Sequence, residues 1–388
     1  MMQAKEQITA PLSSMSRQDP LCADAGGAGE NEQGAGKLAG VSGALFGRMN
    51  GIDAAVPFLL MCILFGLFAL AVPNYLSVGN LQQLMRDFAE PSMVALAMGI
   101  VIFGGGIDLS VGATFAIANY VALYLFKIEA LPLGVAVMGV LAAGAVIGAL
   151  NGVLIAYVKT RPFLTTLAML LVLRAGHDLV TLAHTVELAN AWRETDTWNF
   201  LGAGFVWGIP TNMAALIVLA LALHVVLTRM RFGLHIMATG ADRKAARHAG
   251  IDTRRVTLSI YILSGMLASL AGLFYAARQS SAGSDTGLGW EVTALAAVVL
   301  GGVSLAGGRG SVGRVLMGSA ILFLLMSGLL RMNMPGGASS ALTGFTLLVA
   351  VAAHIQWSRW RDRQRAIGAR KSSSATLPAD IADEREQP

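Results

Sequence analysis

Between residues 55 and 355 the chain alternates apolar runs with short polar, proline-rich or glycine-rich intervals. The runs cover 55–72, 91–103, 111–126, 131–158, 163–182, 210–227, 257–276, 292–303, 315–330 and 340–355. Crossing a hydrocarbon core of about 30 Å takes around 20 helical residues. The pattern therefore predicts an all-α polytopic membrane protein with about ten transmembrane helices. An amphipathic piece, 76–90, precedes Pro91, and two pairs of runs, 91–103 with 111–126 and 292–303 with 315–330, are each separated by a broken, glycine-rich segment. The polar residues 1–50 are expected to be a disordered cytoplasmic tail, 51–357 the membrane domain, and 358–388 a second cytoplasmic tail.

Composition agrees with the pattern. Only 13% of the 388 residues are charged, about half the usual share in a soluble domain. The 45 glycines suit close helix packing in lipid. The net charge of +5 comes from loops and tails, where it sets membrane orientation and implies no nucleic-acid partner. With a cytoplasmic N-terminus, all but six of the 28 Lys and Arg fall on the cytoplasmic side. Arg86, Lys127, Arg193, Arg278 and Arg331 fall outside, and Arg174 lies within a span. Both termini are then cytoplasmic. Cys22 and Cys62 form neither a ligand cluster nor a disulfide framework.

The most strongly charged interval between apolar runs is 228–256, with Arg229, Arg231, Arg243, Lys244, Arg247, Arg254 and Arg255. Within it, 242–249 predicts a short helix capped by Asp242 and stopped by Gly250. Two readings fit: a docking element at the membrane surface, or a positive-inside loop that only sets topology. In FGGGIDLSVG (103–112) three glycines break a helix at membrane depth, which is tolerated only inside protein or along a water-filled cavity. Asp108 and Ser110 are expected to cap the helix that follows, or Asp108 to meet the transported substrate. LGGVSLAGGRGSVG (300–313) partly echoes this break, and paired breaks mark a translocation pathway. Candidate pathway positions are Gly105, Gly106, Asp108, Ser110, Gly112, Asn151, Glu291, Gly301 and Gly302. Arg174 and Asp178, four apart on one helix, are expected to pair or to line a polar path. Trp192, Trp198 and Trp207 in the outer loop 183–208 are expected as interface anchors or partner contacts.

No GxxxxGK[ST] phosphate loop and no HExxH metal motif occur, so no catalytic or metal-binding residue is expected and the chain binds no cofactor of its own. Four ordered stretches carry a resemblance: GGGIDLSVG (104–112), NGVLIAYVKTRPFLTTL (151–167), RFGLHIMATGADRKAARHAGI (231–251) and GWEVTALAAVVLGGVSLAGGRGSVG (289–313). They resemble the permease subunits of bacterial ABC importers for monosaccharides, the ribose/xylose/arabinose/galactoside group. The resemblance implies a type II ABC-importer-like fold in the bacterial inner membrane and a permease dimer. It also implies a periplasmic sugar-binding protein outside and a cytoplasmic ATPase that uses ATP and Mg2+. The docking loop would then present Gly240, Asp242, Ala245, Ala246, Arg247, Gly250 and Ile251. The sequence departs from the family at ATGAD (238–242), at Leu234-His235, and at Arg174-Ala175-Gly176, which leaves the substrate open. A related permease for branched-chain amino acids or nucleosides, and a secondary transporter independent of an ATPase, are the alternatives.

Overall fold

The computed structural model describes residues 57–190 and 193–332, together with the isolated positions 341, 344, 345, 348 and 356. Both tails, Trp192 and most of the run 340–355 lie outside the described residues. The elements are α1 (Pro57–Ala71), α2 (Val78–Phe103), α3 (Val111–Leu123, continued by a π turn Tyr124–Ile128), α4 (Leu133–Ala156), α5 (Pro162–Ala183), α6 (Thr185–Asn190) and α7 (Asp196–Ala203). A two-stranded antiparallel ribbon follows, β1 (Phe205–Val206) with β2 (Ile209–Pro210). Then come α8 (Thr211–Arg229), α9 (Arg231–Ala241), α10 (Arg243–His248), α11 (Thr253–Gln279), α12 (Trp290–Leu300) and α13 (Val312–Arg331).

Among the described residues, six helices are long and apolar enough to cross a membrane: α3 with its π turn, α4, α5, α8, α11 and α13. The expected count of about ten is not reached by these. α12 has 11 residues, so it rises only about 16 Å and covers half a bilayer before its glycines end it. The expected amphipathic piece 76–90 and the run 91–103 form one helix, α2, with Pro91 inside. Proline removes a helical hydrogen bond, yet every residue from Ser92 to Phe103 is buried, and that packing keeps the helix continuous.

The helix α11 runs through the core, packed by α4, α3 and α2. Gly144, Gly148 and Gly152 repeat every four residues along α4, and a Cβ on Gly148 would fall 2.2 Å from the Tyr261 carbonyl oxygen. The two backbones therefore touch, the close approach that small residues permit in lipid.

One end of the bundle gathers four of the arginines expected on the outer side. Arg86 donates to the carbonyls of Gly202 and Ala203 on α7, and Arg193 to those of Phe126 and Leu131. Arg331 reaches Asn80 Oδ1, and Arg278 pairs with Asp87 and Glu90. Trp198 is no interface anchor: it is buried and stacked on Phe126 with ring centroids 4.2 Å apart. Trp207 is 97% exposed.

Candidate functional site

The charged interval 228–256 is two helices, not one. The sequence reading missed α9 because its charges and glycines resemble a loop, yet it buries Gly233, Ile236 and Thr239 along one face. The shorter helix follows the expectation closely. Asp242 accepts hydrogen bonds from the N–H groups of Lys244 (2.7 Å) and Ala245 (3.1 Å). At the other end Gly250 N–H donates to Arg247 and Ile251 N–H to Ala246, closing a Schellman motif with Gly250 at φ +81°. The two cap bonds hold the Asp242 carboxyl below the usual carboxylate range. Because the folded value is the lower one, this contribution is complete above the ordinary carboxylate range and disappears as pH falls through the lowered value. Of the six residues in α10 only Ala246 is buried, while Lys244, Ala245, Arg247 and His248 face out.

The end of α9 connects this surface element to both glycine breaks. Gly240 lies on the hydrogen bond from Gly308 N–H to the Phe103 carbonyl (3.0 Å), which ties the second break to the end of α2. A Cβ on Gly240 would sit 2.0 Å from that oxygen and 2.7 Å from that nitrogen. Gly105 approaches Gly240 from the first break, and Gly307, at φ +87°, approaches both: its Cβ would lie 2.7 Å from Gly105 Cα and 2.8 Å from the Gly240 oxygen. Backbone alone fits here. The sequence marked the two breaks and the loop separately; their meeting at a three-way glycine junction was not legible in it.

A buried polar node lies above the junction. Asp108 Oδ1 accepts from Ser110 N–H (3.0 Å) and Ser110 Oγ (2.6 Å), and its Oδ2 accepts from Ser264 Oγ on α11 (2.9 Å). Asn151 on α4 donates to Ser110 Oγ (2.8 Å). Asp108, Ser110 and Asn151 are thus brought together, all buried. Asp108 is not the residue adjoining the helix: α3 begins at Val111 after Ser110, and Asp108 instead locks the approach to it and links three helices. Gly106 packs beneath the Tyr261 hydroxyl, which donates to the Ile107 carbonyl. Replacing Asp108 with alanine strands the Ser110 N–H and the Ser264 hydroxyl, at about 1–3 kcal/mol per buried group left unpaired. Asp108→Asn keeps one acceptor and offers Ser264 a donor, so its loss should be much smaller. Thermal midpoints of the two purified variants in detergent check this ordering, and equal midpoints would contradict it.

Gly112 and Glu291 meet on the other side of α3. The Glu291 carboxylate fills the place of a side chain at residue 112, its Oε2 coming 2.2 Å from where a Cβ would stand. Arg174 does not pair with Asp178 as expected; its Nη1 donates to the Thr286 carbonyl at 2.6 Å. Gly301 and Gly302 end α12, with Gly301 against the Arg314 carbonyl, and join neither polar group. Sequence reading also missed the pairing of Glu90, fully buried, with Arg278 and Asn212. No periodicity announces it, because its members sit 122 and 188 positions away from Glu90 in the chain.

These features define a polytopic helical membrane protein with interrupted helices around a buried polar interior. Over residues 80–351 it matches the family described as the permease component of the branched-chain amino acid transport system, and the chain belongs to that permease family. It is 35% identical to the ribose import permease protein of Escherichia coli K12 over 291 residues, 75% of this chain and 90% of that one. It is 35% identical to the ribose import permease protein of Bacillus subtilis 168 over 305 residues, 76% and 90% of the two chains. Identity to the fructose import permease protein of Rhizobium meliloti is 30% over 315 residues, 80% and 87%. No solved structure gives a significant match.

Proposed function

We propose that this chain is the membrane-spanning permease subunit of an ATP-driven importer, forming the pathway for a monosaccharide delivered by a periplasmic binding protein. Its own role is conduction, not catalysis; ATP and Mg2+ belong to a separate cytoplasmic ATPase. Two permease chains would form the pathway in the bacterial inner membrane, each with both termini cytoplasmic. The sugar reading rests on relatives named for ribose and fructose import. The family description names branched-chain amino acids, and the relatives at 30–35% identity named for ribose and fructose favour the sugar over them.

The observation that carries the mechanism is α10 itself. It is capped at both ends, nearly unburied, and one extended residue, Asp242 (φ −157°), from a helix whose tip touches both breaks. A capped helix moves as a unit. Displacement of α10 by an ATPase would pass along α9 to Gly240 and from there to the ends of α2 and of the 301–311 loop at once. The Asp108 node would keep α3, α4 and α11 together during that movement.

The pair Lys244→Glu and Arg247→Glu tests the docking role. Co-purification of the ATPase should be lost while the permease still purifies with an unchanged melting profile. An unchanged ATPase yield together with unchanged sugar uptake would refute it.

A further inference from the structure

A cavity of about 560 Å³ lies between α2, α12 and α13. Small-molecule sites commonly measure about 300–1,000 Å³, so this one has room for a small polar solute. Its lining includes Asp87, which Arg278 holds, and Leu330, the neighbour of Arg331. It therefore begins at the end of the bundle that gathers the outer arginines. Leu330 is exposed at this mouth, whereas Ser319, at the other end of the α13 wall, is buried. Between those two residues the wall covers about 16 Å of helix.

The three walls offer different chemistry. On α2, Pro91 has no N–H, so the Asp87 carbonyl loses its helical donor. The Asp87 side chain is 36% exposed, and its carboxylate accepts from Arg278 Nη1 and Gln83 Nε2, both at 3.0 Å. A carboxylate has about four acceptor positions, so capacity remains for a guest. On α12 the half-buried Trp290 is held from behind, stacked on Phe115 at 4.2 Å and edge-on to Tyr275 at 5.9 Å. It gives the cavity a fixed aromatic surface and an indole donor. On α13, Ser319 Oγ lies 2.8 Å from Ser92 Oγ. Two hydroxyls carry two protons and their mutual hydrogen bond uses one, so the pair still has one to donate. Among the described residues Asp87 is the one charged member of the lining, and Arg278 balances it.

We infer that this cavity is the station where the transported sugar rests, its ring against Trp290 and its hydroxyls on Asp87 at the mouth and Ser319 at the inner end. The inference rests on the monosaccharide reading above. A sugar ring has apolar C–H faces and a rim of hydroxyls that both donate and accept, which suits an aromatic wall between two polar ends. An amino acid would bring a carboxylate as well, and the nearest cation, Arg278, is already engaged by Asp87 and Glu90. The walls also connect the station to the glycine junction. α2 ends at Phe103, whose carbonyl accepts from Gly308 N–H at 3.0 Å, and α12 ends at Gly301, where the 301–311 loop begins. Movement arriving at Gly240 thus reaches two of the three walls and changes the gap that holds the sugar.

The test uses the permease with its ATPase and binding protein in proteoliposomes, supplied with D-ribose, D-fructose or L-leucine. With Cys22 and Cys62 replaced by serine, Thr293→Cys puts a single thiol on the cavity wall. That thiol should react with a membrane-impermeant methanethiosulfonate added on the binding-protein side. Saturating D-ribose or D-fructose should slow the reaction several-fold, and L-leucine should not. Trp290→Leu should lower the sugar moved per ATP about tenfold, the scale of one lost aromatic contact. That ratio is the readout a merely structural role leaves unchanged, because lost folding lowers uptake and hydrolysis together. A thiol at position 293 that the reagent never reaches, or that reacts equally fast with and without sugar, overturns the station. So does an unchanged ratio in Trp290→Leu, and if that variant fails to assemble the thiol labelling decides the matter. If the unsubstituted complex takes up L-leucine and neither sugar, the monosaccharide reading fails and the station fails with it.

Discussion

Arg278→Met should cost the folded bundle about 3–5 kcal/mol of stability. Glu90 is completely buried, and its carboxylate accepts from Arg278 Nε at 3.1 Å and from Asn212 Nδ2 at 2.9 Å. Arg278 also holds Asp87 at 3.0 Å, so the network joins α2, α8 and α11. Methionine retains most of the packing volume but leaves a buried charge without its counterion, which is the expensive outcome. Replacing both charges, Arg278→Met with Glu90→Leu, should recover most of the loss. Thermal midpoints of the single and double variants in detergent measure this, and a double variant no better than the single one would contradict it.

Gly240→Ala should cut transport while leaving assembly intact. Its methyl group would occupy the space between the Phe103 oxygen and the Gly308 nitrogen, and backbone on both sides leaves no flexible side chain to yield. Overpacking of this kind costs about 1–3 kcal/mol, and a coupling change of that size alters a linked equilibrium roughly 5- to 150-fold. Because α10 is untouched, the ATPase should still bind and hydrolyse ATP. Uptake and hydrolysis measured in the same vesicles check the separation. Parallel loss of both, or loss of neither, would count against the junction as the route of coupling.

The contrast between these two sites shows what could be read from the sequence. The ends of α10 were legible because caps are local: Asp242 lies within three residues of the N–H groups it serves, and Gly250 marks the stop. The breaks at 104–106 and 301–311 were legible because glycine runs inside apolar segments have few other uses. Asp108, Ser110 and Asn151 were marked by motif, but their hydrogen bonds to one another and to Ser264 required the fold. The α9 helix was hidden by its mixed composition, and α12 looked like a crossing until its length placed it at half a bilayer. Trp198 shows the opposite error, since an aromatic residue in an outer loop reads as an anchor until Phe126 is found against it. The Glu90–Arg278 pair and the Gly105–Gly240–Gly307 contact are long-range. Nothing in either local segment names its partner.

On the function proposed above, force enters at α10 from a separate ATPase and drives a monosaccharide through this chain. Uptake of D-ribose and D-fructose into proteoliposomes tests it most directly, comparing the complete complex with this chain alone. Uptake is expected only with the ATPase, the binding protein and ATP on the α10 side, and none from this chain alone under an ion gradient. Uptake by this chain alone, driven by an ion gradient and indifferent to ATP, would contradict it.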